Sequence, residues 1–324
     1  MSFYTYTGVG HEIDGDAARD YIRDGYLLAP RTVLKGRTKV RQSALPAISV
    51  DPSKLSLLVE QTLGGAMGNM SGARRAVMFS GGFDSMFIGL LARQRGAQVT
   101  AVTVQFDDFN PLTVAGAIQF ADKMGFTHHI LHVKAGEFLS AFEELAGITD
   151  EPLLDLDLGV VCAAFKKYDP QIAGDVFISG MGSDQWFGNE ALEKRPGGLA
   201  ARLDGAMVDQ DAHQRLAQAF GFKVVFPFLS GPMLALSQSM PAAMKKDKKL
   251  LRALAVADAI PHQGSKSELQ VPALMRNLLI KTYGDQAWPC PVSADSRNSR
   301  GNEQALRQIV LGLWLRKANF WQKG

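Results

Sequence analysis

From about residue 55 onward, short apolar runs alternate with longer amphipathic stretches. The runs 76-AVMFS, 99-VTAVTV, 128-HHILHV and 175-DVFISG have the length and β-branched or aromatic content of buried strands. Between them, 84-DSMFIGLLARQRG, 113-TVAGAIQFADKMG and 156-LDLGVVCAAFKKY repeat with helical spacing. Phe87, Leu90 and Leu91 fall at i, i+3 and i+4, one core-facing stripe, and Gly96 and Gly125 stand where helix ends are capped. Strand–helix alternation predicts an α/β fold built on a parallel, doubly wound sheet covered on both faces. From about residue 206 the pattern turns helical: 206-AMVDQDAHQRLAQAFG, 232-PMLALSQSM, 248-KKLLRALAVAD, 268-ELQVPALMRNLLIKTYG and 303-EQALRQIVLGLWLRKANF. Residues 1–50 fit neither pattern. They hold short apolar pieces and a basic, extended-looking 30-PRTVLKGRTKVR, while 289-PCPVSADSRNSRGN-302 is loop chemistry. The organisation expected is an N-terminal extension (1–54), an α/β core (55–205) and a largely helical C-terminal half (206–324).

Composition narrows the function classes. Of 324 residues, 46% are hydrophobic and 21% charged, as in ordinary globular proteins. No apolar run reaches membrane-spanning length. The opening residues lack a basic segment followed by an apolar core, which speaks against a secretory signal. A net charge of +3 permits anionic ligands without announcing a nucleic-acid binder. Cys162 and Cys290 are the two cysteines; far apart in sequence, they are expected as free thiols in a reducing cytoplasm, and structural zinc lacks ligands.

Two turns carry the chemistry. In doubly wound sheets ligands bind beyond the carboxyl ends of the strands, which places Ser80–Ser85 and Gly180–Asp184 on one edge. Ser80, Gly81 and Gly82 let successive backbone N–H groups face an anion, and the following helix adds its positive end. That describes a pyrophosphate cradle. It is neither a GxxxxGK[ST] loop nor a GxGxxG fingerprint. A carboxylate at Asp84 repels phosphate unless a cation lies between, and Mg²⁺ is the natural choice. The plainer alternative is a tight turn whose helix is capped by Asp84 or Ser85.

SGGFDS resembles the phosphate-binding loop of ATP pyrophosphatases, the PP-loop type, which cleave ATP between its α and β phosphates. 178-ISGMGSDQWFGNEAL resembles the SGxGSDExFGGY signature of the asparagine synthetase family's synthetase domain. In family order, 149-TDEPLLD is similar to DEPxxD, 226-FPFLS to PFLD, and 248-KKLLR to KxLLR. Upstream, 21-YIRDGYLLAPRTVLKG resembles the end of that family's glutamine-hydrolysing domain. The resemblance covers roughly residues 20–270. It implies an adenine nucleotide alpha hydrolase-like sheet, ATP and Mg²⁺ as cofactors, and a ligase that joins carboxylate to nitrogen through an acyl-adenylate. It implies that Ser80, Gly81, Gly82, Asp84 and Ser85 hold phosphates, with Gly180, Gly182 and Ser183 beside the nucleotide. The strand backbone at Val104 would face adenine, Asp84 and Asp184 would bind the metal, and Lys266 would neutralise developing negative charge.

The departures are informative. The family's glutaminase nucleophile is a cysteine directly after the initiator Met; position 2 here is Ser2, and only about fifty residues precede the synthetase part. The nitrogen is therefore expected from free ammonia, an amine or hydroxylamine-like donor, or a separate glutaminase. Met181 stands where asparagine synthetases place Glu and β-lactam-forming members place Tyr, and a thioether neither takes nor gives a proton. This points away from asparagine and toward specialised-metabolite or peptide tailoring, as in β-lactam synthetases or lasso-peptide cyclases. Met86 and Ser230 also depart from SGGxDSS and PFLD. A PP-loop tRNA-modifying enzyme and a non-catalytic partner of a glutaminase remain the alternatives. Among other residues, His128, His129 and His132 are read as strand packing plus one exposed imidazole, and Asp107 and Asp108 as solvated loop acids. The run 245-KKDKK is read as a wet helix start, Arg297 and Arg300 as loop residues, and Leu311, Trp314 and Leu315 as core or a homodimer face.

Overall fold

A computed structural model describes residues 4–10, 12–41, 51–69, 72–107, 111–169, 171, 174–187, 198–255, 260, 270–284 and 299–318. The chain begins with β1 (Tyr4–Thr7), β2 (Glu12–Ile13), α1 (Gly15–Asp24), β3 (Leu34–Lys35) and β4 (Thr38–Arg41). β1 pairs antiparallel with β4, and β2 with β3, so 30-PRTVLKGRTKVR is extended at Leu34–Lys35 and Thr38–Arg41, with a turn at Gly36 between them. Asp14 caps α1 by accepting from the Asp16 and Ala17 N–H groups, both at 3.0 Å.

After α2 (Leu55–Met67) come β5 (Arg74–Met78), α3 (Phe83–Gln94), β6 (Gln98–Phe106), α4 (Pro111–Met124), β7 (Thr127–Val133), α5 (Ala135–Ile148), α6 (Leu156–Phe165) and β8 (Val176–Ile178). Then follow α7 (Ser183–Phe187), α8 (Gly198–Ala219), β9 (Lys223–Val225), α9 (Gly231–Ser239), α10 (Ala242–Lys245), α11 (Lys249–Leu254), α12 (Gln270–Tyr283) and α13 (Ser299–Lys317). The main sheet is fully parallel, in the order β7-β6-β5-β8-β9. All four expected strands are present. β9 and α5 were not expected, and β9 carries the sheet past residue 205 into the stretch read as helical. Three residues, two of them valine, are too short a run to show a strand period.

Successive strand residues feed two separate cores. Ala76, Val102 and Phe177 face one cluster with α1, α5, α6, α12 and α13. Val77, Ala101 and Ile178 face the other, with α2, α3, α4, α9 and α11. Burial on both faces is what makes these strands uniformly apolar. α3 is buried more widely than one stripe: Met86, Ile88 and Ala92 are as enclosed as Phe87, Leu90 and Leu91, because α3 lies between the sheet and α2. Gly96 (φ +86°) and Gly125 (φ +64°) close their helices in the left-handed conformation. Leu311, Trp314 and Leu315 are core, and the Trp314 Nε1–H donates to the Thr149 carbonyl at 2.9 Å. Among the described residues no helix is long and apolar enough to cross a membrane.

Candidate active site

β5 is the central strand: β6 lies on one side and β8 on the other, so the chain direction of the windings reverses around it. The turns leaving β5 and β8 therefore sit side by side at the carboxyl edge. Each strand is extended by one residue into its turn. Phe79 N–H donates to Val102 O (2.8 Å) and Ser179 N–H to Val225 O (2.9 Å).

In the first turn Gly81 has φ +79°, a conformation that strains any residue with a Cβ. Gly82 is the N-cap of α3 and supplies no side-chain cap. The capped-turn alternative is thereby overturned. Asp84 turns its carboxylate away to other partners, and Ser85 Oγ donates to Gly82 O at 2.9 Å. Since the one Ser85 hydroxyl proton is so engaged, Ser80 is the donor in the 3.2 Å Ser80–Ser85 contact. Ser80 is exposed, while Gly81 and Ser85 are buried.

The second turn is pressed onto the first. A Cβ at Gly180 would stand 2.8 Å from the Asp84 carbonyl carbon and 2.9 Å from Ser85 N. Gly182 (φ +97°) allows an equally close pass over Leu229. Ser183, buried at the start of α7, donates through Oγ to Asp84 Oδ1 at 2.6 Å. Trp186 Nε1–H donates to Phe228 O at 2.7 Å, tying α7 to the 3-10 turn Pro227–Leu229. Ser230, where the family has Asp, caps α9 by accepting from Met233 N–H at 3.4 Å.

The two turn carboxylates converge on one cation. Lys248 Nζ lies 2.6 Å from Asp84 Oδ2 and 2.7 Å from Asp184 Oδ1, so those oxygens are close enough to share an ion. The Lys248 side chain is only 15% exposed. Burial works against its charge, yet the Asp84 and Asp184 carboxylates outweigh that effect and hold the ammonium above the usual lysine range. The reading of 245-KKDKK as a wet helix start is therefore corrected at Lys248. Its signal was present in the sequence: Lys248 opens the stretch similar to KxLLR. A wet surface was the wrong inference because Asp247 (φ +53°) and Lys248 (φ +57°) are both left-handed, and this kink turns the lysine inward. Arg252 Nε–H donates to the Asp247 carbonyl at 3.3 Å, and its guanidinium lies 4.7 Å above the Phe83 ring.

The remaining sequence-based readings divide. Val104 lies in β6, two residues beyond Val102, the last residue paired with β5, which puts it beside the first turn. Lys266, Asp108, Arg297 and Cys290 lie outside the described residues, and Arg300, read as a loop residue, lies in the first turn of α13. Asp107 is no solvated acid: φ is +45°, and its Oδ2 accepts from Ala135 N–H at the start of α5 (3.2 Å). His132 is exposed, but His128 is a working part of the sheet. Thr103 donates its one proton to Phe79 O (2.6 Å), so His128 Nε2 must donate to Thr103 Oγ1 (2.8 Å). Burial pushes the His128 pKa down, against Asp122. Met181 packs against the Ala206–Phe226–Leu229 cluster. Cys162 is free and enclosed, and burial pushes its thiol up to about 12.

As donors for Mg²⁺, two carboxylate oxygens from separate turns already aim at one point, which suits a hard, oxygen-seeking ion. Among the described residues no group of three or more His, Cys, Asp or Glu could hold a metal, so further oxygens would have to come from phosphate or water.

Residues 58–199 match the sequence model of the family described as asparagine synthase. Both turns fall within that stretch, so the resemblance read from their residues holds there. A Mycobacterium bovis protein bearing the name asparagine synthetase, glutamine-hydrolysing, is 30% identical over 117 residues, 36% of this chain and 18% of its own. The match thus spans less than a fifth of that relative. A tRNA-specific 2-thiouridylase of Sphingopyxis alaskensis is 29% identical over 130 residues, 35% of this chain and 34% of its own. Among solved structures, a U34-tRNA thiolase from Methanococcus maripaludis is 12% identical with a TM-score of 0.41, covering 91% of this chain and 90% of its own. NMN synthetase from Francisella tularensis is 14% identical with a TM-score of 0.33, covering 79% and 92%. Both structural likenesses are too distant to bear on the chemistry.

Proposed function

We propose that this protein is an ATP-dependent carbon–nitrogen ligase that activates a carboxylate as acyl-AMP and passes it to a nitrogen nucleophile. The observation that carries this reading is the meeting of Asp84 and Asp184 at one cation position between two glycine-bearing turns. A substrate carboxylate oxygen attacks the α-phosphorus, the bond to the β-phosphate oxygen breaks, and pyrophosphate leaves. A nitrogen then attacks the acyl carbon, AMP departs, and the nitrogen gives up a proton. The α3 N-terminus would bind phosphate oxygens through N–H donors, and exposed Ser80 would join them by turning its one O–H away from Ser85. Asp84 and Asp184 would hold Mg²⁺, which when bound supplies charge neutralisation to the triphosphate. Lys266 would add a fixed positive charge near the leaving group. Met181, at the position that the family resemblance puts near the attacking amine, would offer it no proton acceptor. The nucleophile would therefore arrive neutral, as hydroxylamine or hydrazine does, or lose its proton elsewhere; plain asparagine synthesis fits poorly. Specialised-metabolite or peptide tailoring, cyclising or intermolecular, fits this site, with ammonia delivered by a separate glutaminase as another nitrogen source.

A second reading, a PP-loop enzyme that adenylates a tRNA base, is favoured by the similarity to the 2-thiouridylase over 35% of the chain. Incubating the protein with ATP, Mg²⁺, hydroxylamine and a panel of carboxylic acids tests both. Acid-dependent AMP, pyrophosphate and hydroxamate are expected, and Asp84→Asn and Asp184→Asn should each lower the rate about a hundredfold or more. AMP formed only with tRNA would favour the second reading. Undiminished rates in both Asn variants would remove the site altogether.

A further inference from the structure

The cation between Asp84 and Asp184 belongs to the chain itself, and its lysine sits on a strained hinge. We propose that Lys248 is an exchangeable counter-ion: a divalent metal takes its place between the two carboxylates, and the ammonium swings out on the Asp247–Lys248 kink toward the incoming phosphates. This rests on the ligase reading, in which those carboxylates bind metal.

Three observations support the exchange. First, Lys248 Nζ contacts one oxygen of each carboxylate, at 2.6 and 2.7 Å. A divalent ion bound to the same oxygens at its own shorter distance leaves no place for the ammonium. Second, the charge count favours a swap. Two carboxylates and one ammonium leave a net charge of −1, which would favour a doubly charged ion over a single one. The expelled ammonium would meet triphosphate oxygens.

Third, the hinge is built to move. Asp247 and Lys248 are consecutive non-glycine residues in the left-handed region, between α10 and α11. Such a pair persists only while its contacts hold it. Among those contacts are the two carboxylates on one side and Arg252 on the Asp247 carbonyl on the other. Arg252 in turn rests on Phe83, the residue that precedes Asp84 in the first turn. The hinge and the phosphate loop are thereby coupled, and Ser183, holding Asp84 Oδ1, keeps Oδ2 aimed at the shared point in either state.

The test titrates Mn²⁺ into the full-length protein without nucleotide, reading the free-ion signal by electron paramagnetic resonance. Lys248→Met should bind Mn²⁺ at least about tenfold more tightly than wild type, since one competing charge is gone. Lys248→Arg, which keeps a cation, should stay near wild type, and Asp184→Asn should bind weakly with or without Lys248. In wild type, saturating Mn²⁺ should speed amide exchange across residues 246–252, a readout that does not need the Met variant to fold. Equal or weaker Mn²⁺ binding by folded Lys248→Met, or unchanged exchange at the hinge, overturns the proposal. If acid-dependent AMP formation still requires Asp84 and Asp184 in that event, the exchange falls alone. If wild type makes no acid-dependent AMP, the ligase reading falls with it.

Discussion

At the scale of single residues, Gly180 decides whether the two turns act as one site. Its Cα faces the backbone of the first α3 turn so closely that a methyl group would meet Asp84 and Ser85 backbone atoms below 3.0 Å. Backbone inside a helix cannot step aside as a flexible side chain can, so Gly180→Ala must push the second turn outward. A stability loss of about 1–3 kcal/mol is expected from such overpacking. The diagnostic effect is a larger one on Mg²⁺-dependent AMP formation, because Asp184 moves with the turn and its distance to Asp84 grows. Urea titration alongside the AMP assay separates the two. A variant that loses stability but keeps full activity would show that the turns need not touch. Met181 makes the opposite point about side chains. Its place between two glycines marked it as the chemical departure from the family signature, and it packs, partly buried, against the Ala206–Phe226–Leu229 cluster.

At the scale of elements, the sequence was most legible where each segment's own period decided the outcome. The apolar runs of β5, β6 and β8 feed both cores, so they needed no alternation to be recognised, and edge strand β7 was legible from its β-branched and aromatic run alone. The adjacency of the turns followed from their shared edge. What stayed hidden depends on long-range partners. β9 is a strand because β8 offers Val176–Ile178 as an edge, and Lys248 meets Asp84 and Asp184 because a backbone kink aims it inward. Neither fact is written in local spacing. The histidine run shows the same limit: period placed His128 on a strand, while its role comes from Thr103 on the neighbouring strand. The chain of donors from His128 to Thr103 to Phe79 O fixes the carbonyl just before Ser80. Because burial lowers the His128 pKa, the folded state prefers the neutral ring. Stability from this source is complete above the unfolded value of about 6.5 and declines as pH falls below it. Comparing urea midpoints at pH 7.5 and 5.5, wild type should lose more than His128→Gln over that interval. An identical loss in both would place the acid sensitivity elsewhere.

At the scale of the whole molecule, the N-terminal extension is tied to the core through α1 and Lys39. α1 sends Ala17, Ala18, Tyr21 and Ile22 into the same cluster as α13, and Arg307 donates to the Ile22 carbonyl at 3.2 Å. A second tie is ionic. Lys39 Nζ, fully buried, meets Glu151 Oε2 at 2.5 Å, and Arg37 meets Asp150 Oδ1 at 2.5 Å. Asp150 is also held by Arg215 of α8, which in turn pairs with Asp211 at 3.0 Å. Residues 150 and 151 open the loop leading to α6, so this network fixes the stretch similar to DEPxxD against the extension. Lys39→Met leaves Glu151 enclosed without its paired ammonium, with Arg37 as the remaining opposing charge, and breaking a buried pair from one side costs about 3–5 kcal/mol. The size of that loss should depend on pH in a definite direction. Burial already pushes the Glu151 pKa up, with Lys39 opposing it; without Lys39 it rises further. A carboxyl with a raised folded pKa penalises the fold fully above that pKa and not at all below the unfolded value of about 4.3. Thermal unfolding of Lys39→Met against wild type should therefore show a deficit that is largest near pH 8 and shrinks as pH falls toward 5. Lys39→Met/Glu151→Leu, which removes both charges, should recover most of the loss and remove its pH dependence. A deficit in the single variant that stays constant with pH would mean that the lysine contributes packing and not charge, and the extension would then be held by its apolar face alone.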